Sequence, residues 1–267
     1  MAVGRRLRHL LLVAGGIVTL YVLAAYVVLP LAWTHREHQP QLAALPMVTR
    51  TAQGIPGDPL NVGLVGNRED VVLAMHEAGW FPADPVTLRT SIEIAGSVVL
   101  DRPYRHAPVS PLYFKGRMQD LAFEKPSGTS ADRRHHVRFW LTLHKGEEGR
   151  PVWLGAVTFD RSVGFSHYTG AITHHIAPDV DAERDQLIND LVSAKLVEAV
   201  YQVTGVGPTL NGRNGGGDRY FTDGEIHFAR LMSGGKKTSV SPVVLDAPAA
   251  LRIKDQIWDA VKGALPD

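Results

Sequence analysis

Between Arg133 and His144 the chain sets three arginines and three histidines into twelve residues, Arg-Arg-His-His-Val-Arg-Phe-Trp-Leu-Thr-Leu-His. A second pair, His174-His175, follows, and the segment between, Val152–Asp160, ends in a carboxylate. Two kinds of chemistry suit these groups. Guanidinium and imidazole bind phosphate or carboxylate, with Arg133, Arg134, His135, His136 and Arg138 as the candidate anion ligands. Imidazole and carboxylate bind a divalent metal such as zinc, with three protein ligands and a water in a hydrolase; here the candidates are His135, Asp160, His174 and His175. A plainer alternative makes the histidines hydrogen-bonded sheet residues and the arginine pair a solvated strand end. The chain has twelve histidines and no cysteine, so thiolate ligands and disulfides are excluded.

Strand geometry narrows these sets. Residues two apart share a face. His135, Val137, Phe139, Leu141 and Leu143 fall on one face, and His136, Arg138, Trp140, Thr142 and His144 on the other. His136 and His144 are about 26 Å apart along a strand at ~3.3 Å per residue, so they cannot share an ion. A four-residue loop, Gly146–Gly149, joins this run to Val152–Asp160 as a hairpin. The implied register sets Leu143 opposite Val152, Leu141 opposite Leu154, Val137 opposite Thr158, and His135 opposite Asp160. Trp140 then lies over Gly155, where a missing side chain leaves room for the ring. His174 or His175 closes the third side.

The elements that must hold this site read as α+β, an antiparallel or mixed sheet with packed helices, because strands and helices mix without regular βαβ spacing. Residues 35–56 read as an irregular linker and the domain as 57–232, followed by a spacer and a last helix over 233–267. Asn67 is placed to cap a helix with Glu69 and Asp70 in its first turn, and Asp84-Pro85 starts a second helix running to about Leu100. Arg102–Pro111 and Pro126–Asp132 read as loops. Asp179 or Asp181 caps a long helix with a stripe from Leu187 to Val200, and Asp246 caps the last helix. Gly205–Gly217 reads as a glycine-rich surface loop, because neither it nor Gly234-Gly235-Lys236-Lys237-Thr238 satisfies the phosphate-loop pattern.

Leu10–Trp33 carries no charge and, at about 24 residues of 1.5 Å rise, is long enough to span a ~30 Å hydrocarbon core. It is too long for a signal-peptide core, so it is expected to be a single uncleaved transmembrane helix. Arg5, Arg6 and Arg8 precede it, which places residues 1–34 as a cytoplasmic N-terminus and anchor, with the rest outside the cytoplasm. The net charge of +1 lacks the basic excess of a nucleic-acid binder.

The ordered segments GDPLNVGLVG (57–66), AGWFPADPVTLR (78–89), RPYRHAPVSPLYFKGRMQDLAFEKP (102–126), RRHHVRFW (133–140), VWLGAVTFDR (152–161) and THHIAPDVDAERD (173–185) resemble the LssY-type C-terminal domain. Such domains stand behind a membrane anchor or are appended to DedA-like or lipid-phosphatase membrane proteins. The resemblance implies a bacterial envelope protein associated with membrane or lipid metabolism, and it supplies no catalytic residue. With the anchor and the basic site, the expected location is the inner membrane and the expected partners are anionic lipid or lipid-processing membrane proteins. The Pro126-Ser127-Gly128-Thr129 run only superficially matches a lipid-phosphatase element, with Thr129 in place of its histidine. The expected role is therefore a binding or accessory module for an anionic envelope ligand. The alternatives are a metal-dependent hydrolase of a phosphoester and a purely structural or protein-interaction module.

Overall fold

The computed structural model describes residues 2–28, 37–95, 111–128, 133–245, 247 and 249–265. The chain divides into two compact units, Met1–Ala44 and Leu45–Asp267.

In the first unit, α1 (Ala2–Leu23) runs into a wider π-helical turn at Ala24–Val28. Large apolar side chains from Leu10 to Val28 are exposed along it. Among the described residues no helix is long and apolar enough to cross a membrane. The expected span over Leu10–Trp33 is thus unsupported. Its apolar run is shared between an α-helix that begins in the basic leader and a π turn, and residues 29–33 lie outside the described residues.

The second unit is an α+β fold. Its early elements are β1 (Val48–Arg50), β2 (Pro56–Pro59), β3 (Val62–Val65), α2 (Arg68–Glu77), β4 (Phe81–Pro82) and α3 (Pro85–Ala95). After these come β5 (Tyr113–Phe114), β6 (Arg117–Met118), β7 (Leu121–Pro126), β8 (Arg134–Leu143), β9 (Val152–Phe165) and β10 (Ile172–Ile176). The chain ends with α4 (Val180–Ser193), β11 (Val197–Thr204), β12 (Thr209–Arg213), β13 (Arg219–Thr222), β14 (Glu225–Leu231), β15 (Val243–Val244) and α5 (Ala249–Lys262). A nine-stranded sheet in the order β15-β11-β14-β3-β9-β8-β7-β4, with β10 also on β9, forms the backbone of the fold. Its pairs are antiparallel except β14 with β3 and β11 with β15. A four-stranded sheet, β2-β1-β5-β6, and the β12–β13 hairpin complete it.

One face of the large sheet buries the apolar core. Val137 and Phe139 of β8, Trp153 and Val157 of β9, and Val62 and Leu64 of β3 pack with Val71, Val72 and Met75 of α2 and Leu187 and Leu191 of α4. Both helices start where polar side chains catch orphan amides. The Asn67 amide donates to Asp70 Oδ2 at 2.9 Å, and the Ala182 amide donates to Asp179 Oδ1 at 3.0 Å. The buried Asn61 side chain ties the layers together, bonding Val157 N–H and C=O on β9 and the Val180 carbonyl of α4. The small sheet lies against the other face, where Phe114 meets Trp140 at a ring separation of 6.1 Å.

Four expectations change. The lead-in before Asp58 is not irregular throughout: β1 and β2 pair as a hairpin inside it. The glycine-rich stretch holds the β12 strand, which pairs with β13. The long helix stops at Ser193, and Lys195 at φ 64° turns the chain so that Val200 belongs to a strand. In the central hairpin, Gly146 N–H bonds the Arg150 carbonyl and Leu143 pairs with Val152 as the loop length predicts, but a bulge between Leu141 and Leu143 moves everything beyond by one residue. Leu141 therefore faces Trp153, Val137 faces Val157, and Phe139 rather than Trp140 lies over Gly155. The Leu100 end of the second helix, the Arg102–Pro111 loop, residues 129–132 and the Asp246 cap lie outside the described residues.

Candidate functional site

The face of β8 turned away from the helices carries Arg134, His136 and Arg138, each almost fully buried. The bulge decides what they meet on β9: Arg134 is opposite Asp160, His136 opposite Thr158, and Arg138 opposite Ala156. These three, with Asp160, His174 of β10 and Asp58 of β2, line a cavity of about 320 Å³. Further lining comes from the β1–β2 turn (Thr51, Gln53), Leu112, Ser166, Thr173 of β10 and the Asn214–Gly216 loop. That loop closes on the hairpin because Gly215 has no side chain: a Cβ there would stand 2.3 Å from Thr51 Cγ2.

Asp160, fully removed from solvent, is the electrostatic centre. Its Oδ2 is 3.1 Å from His136 Nδ1, 3.3 Å from Arg134 Nε and 4.0 Å from His174 Nδ1. Burial pushes its carboxyl up, but the fields of His136, His174 and Arg134 and a hydrogen bond to His136 outweigh that and hold it below the usual carboxylate range. Arg134 also donates to Glu124 Oε2 at 3.0 Å and lies 3.3 Å from His174 Nε2. His136 Nε2 meets Thr158 Oγ1 at 3.2 Å. Arg138 sits 3.6 Å from Asp58. Burial pushes Asp58 above its ordinary range against the opposing fields of Arg138 and His136, and burial also lowers Arg138.

The residues proposed from sequence separate. Arg134, His136 and Arg138 converge with Asp160 and His174 on the cavity. Arg133 is exposed, its guanidinium 5.8 Å over the Phe159 ring. The expected His135–Asp160 pairing is not formed. The one-residue bulge sets His135 opposite Phe159, on the helix side, where its Nδ1 bonds Glu183 of α4 at 2.6 Å. His175 points away from Asp160 and bonds Asp218 at 2.7 Å. The set His135, Asp160, His174 and His175 is therefore not gathered around one point. Among the described residues, the trio whose ligand atoms all lie within 4.8 Å of one another is His167, His175 and Asp218. Asp58 and Asn214 were missed, since each sits in a stretch whose turn residues signal only loop, and Ser166, in a run read as strand, was set aside because it lacks the G-x-S-x-G elbow of a nucleophile. Asp58 lies within the GDPLNVGLVG segment that carried the family resemblance, the one hint available.

The arrangement defines an α+β domain with a charged, partly enclosed cavity between its two sheets. A sequence model of the LssY C-terminus family matches residues 42–226, most of the chain and every wall of that cavity, and the protein belongs to this family. No curated protein and no solved structure matches the chain.

Proposed function

We propose that the cavity binds a small anionic group, a phosphate or a carboxylate, and that the protein is a binding or accessory module for an anionic ligand of the cell envelope. One observation carries this reading: two buried arginines and two histidines, Arg134, Arg138, His136 and His174, converge on a single cavity. Charged hydrogen bonds from guanidinium are the strong kind, and a cavity of about 320 Å³ is at the small end of ligand pockets. Of the two carboxylates on the wall, Asp160 is matched by Arg134 and His136, and burial raises Asp58 above its ordinary range. Both cavity imidazoles are held by neighbours. His136 is engaged by Asp160 and Thr158, and His174 by Arg134. The continuous exposed apolar surface of α1, behind Arg5, Arg6 and Arg8, supports a membrane tether with the domain outside the cytoplasm.

Calorimetric titration of the full chain with inorganic phosphate tests the reading. Wild-type protein binds, more weakly as salt rises. Arg138→Ala loses at least tenfold in affinity, and His135→Ala, on the opposite face, keeps it. Absence of binding, or an unchanged Arg138→Ala variant, rejects the anion site and leaves a structural or protein-interaction role. Turnover of a phosphate ester with divalent ions supplied moves the assignment to a metal-dependent hydrolase.

A further inference from the structure

We propose that His167, His175 and Asp218 form a binding site for a divalent first-row transition-metal ion. The site shares no residue with the anion cavity, and its existence does not depend on that cavity's ligand.

Three separate segments deliver the ligands. His175 stands on β10, one residue beyond His174 and on the opposite face of the strand. His167 comes from the turn joining β9 to β10. Asp218 comes from the loop between β12 and β13. Their atoms meet closely: His175 Nδ1 is 2.7 Å and His167 Nε2 3.6 Å from the same oxygen, Asp218 Oδ1. The two imidazole rings lie 5.4 Å apart at 49°. A tetrahedral ion with bonds of about 2.0–2.1 Å spaces its ligand atoms roughly 3.3 Å apart. The longer contact is already near that value, and the shorter one opens by a small rotation of the His175 ring.

A hydrogen bond between His175 and Asp218 would by itself be an ordinary structural contact. It does not account for His167, whose side chain is 61% exposed yet is brought to the same carboxylate oxygen. Nor is His167 on a loose loop. Its N–H donates to the Gly216 carbonyl at 2.8 Å, and the turn is closed by Ser166 N–H to Ala171 and Gly170 N–H to Ser166. Two glycines clear the space. A Cβ on Gly164 would stand 2.4 Å from His175 Nε2, and one on Gly217, at φ +90°, would stand 2.7 Å from His167 Cβ. Asp218 is aimed by its other oxygen, Oδ2, which accepts from the Ile176 amide at 3.1 Å. Such an outer hydrogen bond is what fixes a ligating carboxylate.

The donor set selects the ion. Two imidazoles and one carboxylate without sulfur suit zinc, cobalt, nickel or ferrous iron, whereas calcium and magnesium demand oxygen-rich shells. Three protein ligands with an exposed His167 leave a coordination position open to solvent.

The test uses the full chain, freed of any histidine tag and stripped with a chelator. It is titrated with Co²⁺ while the visible d–d bands are followed, with metal content measured independently. One ion binds per chain and is displaced by Zn²⁺. His167→Ala and Asp218→Asn each weaken binding at least tenfold, and His76→Ala leaves it unchanged. His167 is exposed, so its removal spares the fold; circular dichroism checks this for Asp218→Asn, which also loses part of a structural contact. A wild-type chain that takes up no stoichiometric ion overturns the proposal, as does a His167→Ala chain that binds as wild type does.

Discussion

Asp160→Asn keeps the shape of a fully buried side chain and removes its charge. Arg134 and His136 on β8 and His174 on β10 all lean on this carboxylate, at 3.3, 3.1 and 4.0 Å. Arg134 retains Glu124, but the variant leaves buried cationic character without its central partner. Removing one member of a buried ion pair costs about 3–5 kcal/mol. For a domain of this size each kcal/mol moves the melting temperature by about 2–4 °C, so the variant should melt roughly 6–20 °C lower at pH 7. The pH profile supplies a second, sharper reading. Asp160 has a folded-state value below its unfolded one, so its contribution is complete above the unfolded value of about 3.9 and is lost as pH falls through the folded value. Asp58 on β2 repels Asp160 across the cavity. The gap between wild type and variant, followed by thermal melts monitored by circular dichroism, therefore persists from pH 7 to about 5. It closes only in the acid limb. A loss under about 1 kcal/mol at pH 7, the size expected for an exposed carboxylate, would refute the picture of Asp160 as a buried hub.

Two further outcomes test the register and the charge balance of the cavity. Gly155→Val should destabilise by about 1–3 kcal/mol in the same melts, because the new Cβ would stand 2.6 Å from Phe139 Cε1 and 2.9 Å from Val62 Cγ1; a neutral substitution would mean that Phe139 does not cross this position. Asp58→Asn should raise phosphate affinity at pH 7 severalfold and shrink its rise on acidification, since wild-type Asp58, facing Arg138, His136, Asp160 and Tyr220, loses its charge at a higher pH than an ordinary carboxylate. A variant titration curve that parallels wild type from pH 8 to 5 would show that Asp58 does not control the cavity.

Much of the frame was legible because it rests on local pattern. The alternation through His135–Leu141 correctly split its side chains between core and polar faces, since a two-residue period is enforced by the strand itself; beyond it the bulge reverses the faces, so Leu143 does not share the face of Leu141. The caps at Asn67 and Asp179 were readable for a similar reason: a short polar side chain next to orphan amides does the same thing in any fold. Elements defined by distant partners were not. Val48–Arg50 has no periodicity worth naming and becomes a strand because β2 and β5 pair with it. The glycines at 215 and 217 look like loop filler until their neighbours, Thr51 and His167, are in place.

The site turned on a single residue. Counting back from a four-residue loop gives the correct pair at Leu143 and Val152, and an unbroken ladder from there sets His135 against Asp160. Nothing in the local sequence marks a bulge between Leu141 and Leu143, where no glycine or proline interrupts the strand. Packing supplies the reason. With the extra residue, Phe139 covers Gly155 within the core, and Trp140 turns to the second sheet, where Nε1 donates to the Arg117 carbonyl at 3.1 Å. The same step sets Arg134 against Asp160 and sends His135 to Glu183. A one-residue slip thus changes the cavity's chemistry. Asp160, placed by counting in a histidine-rich metal set, is instead the counter-ion of a guanidinium, which leaves the metal-like geometry to the carboxylate that His175 meets on the other face of β10.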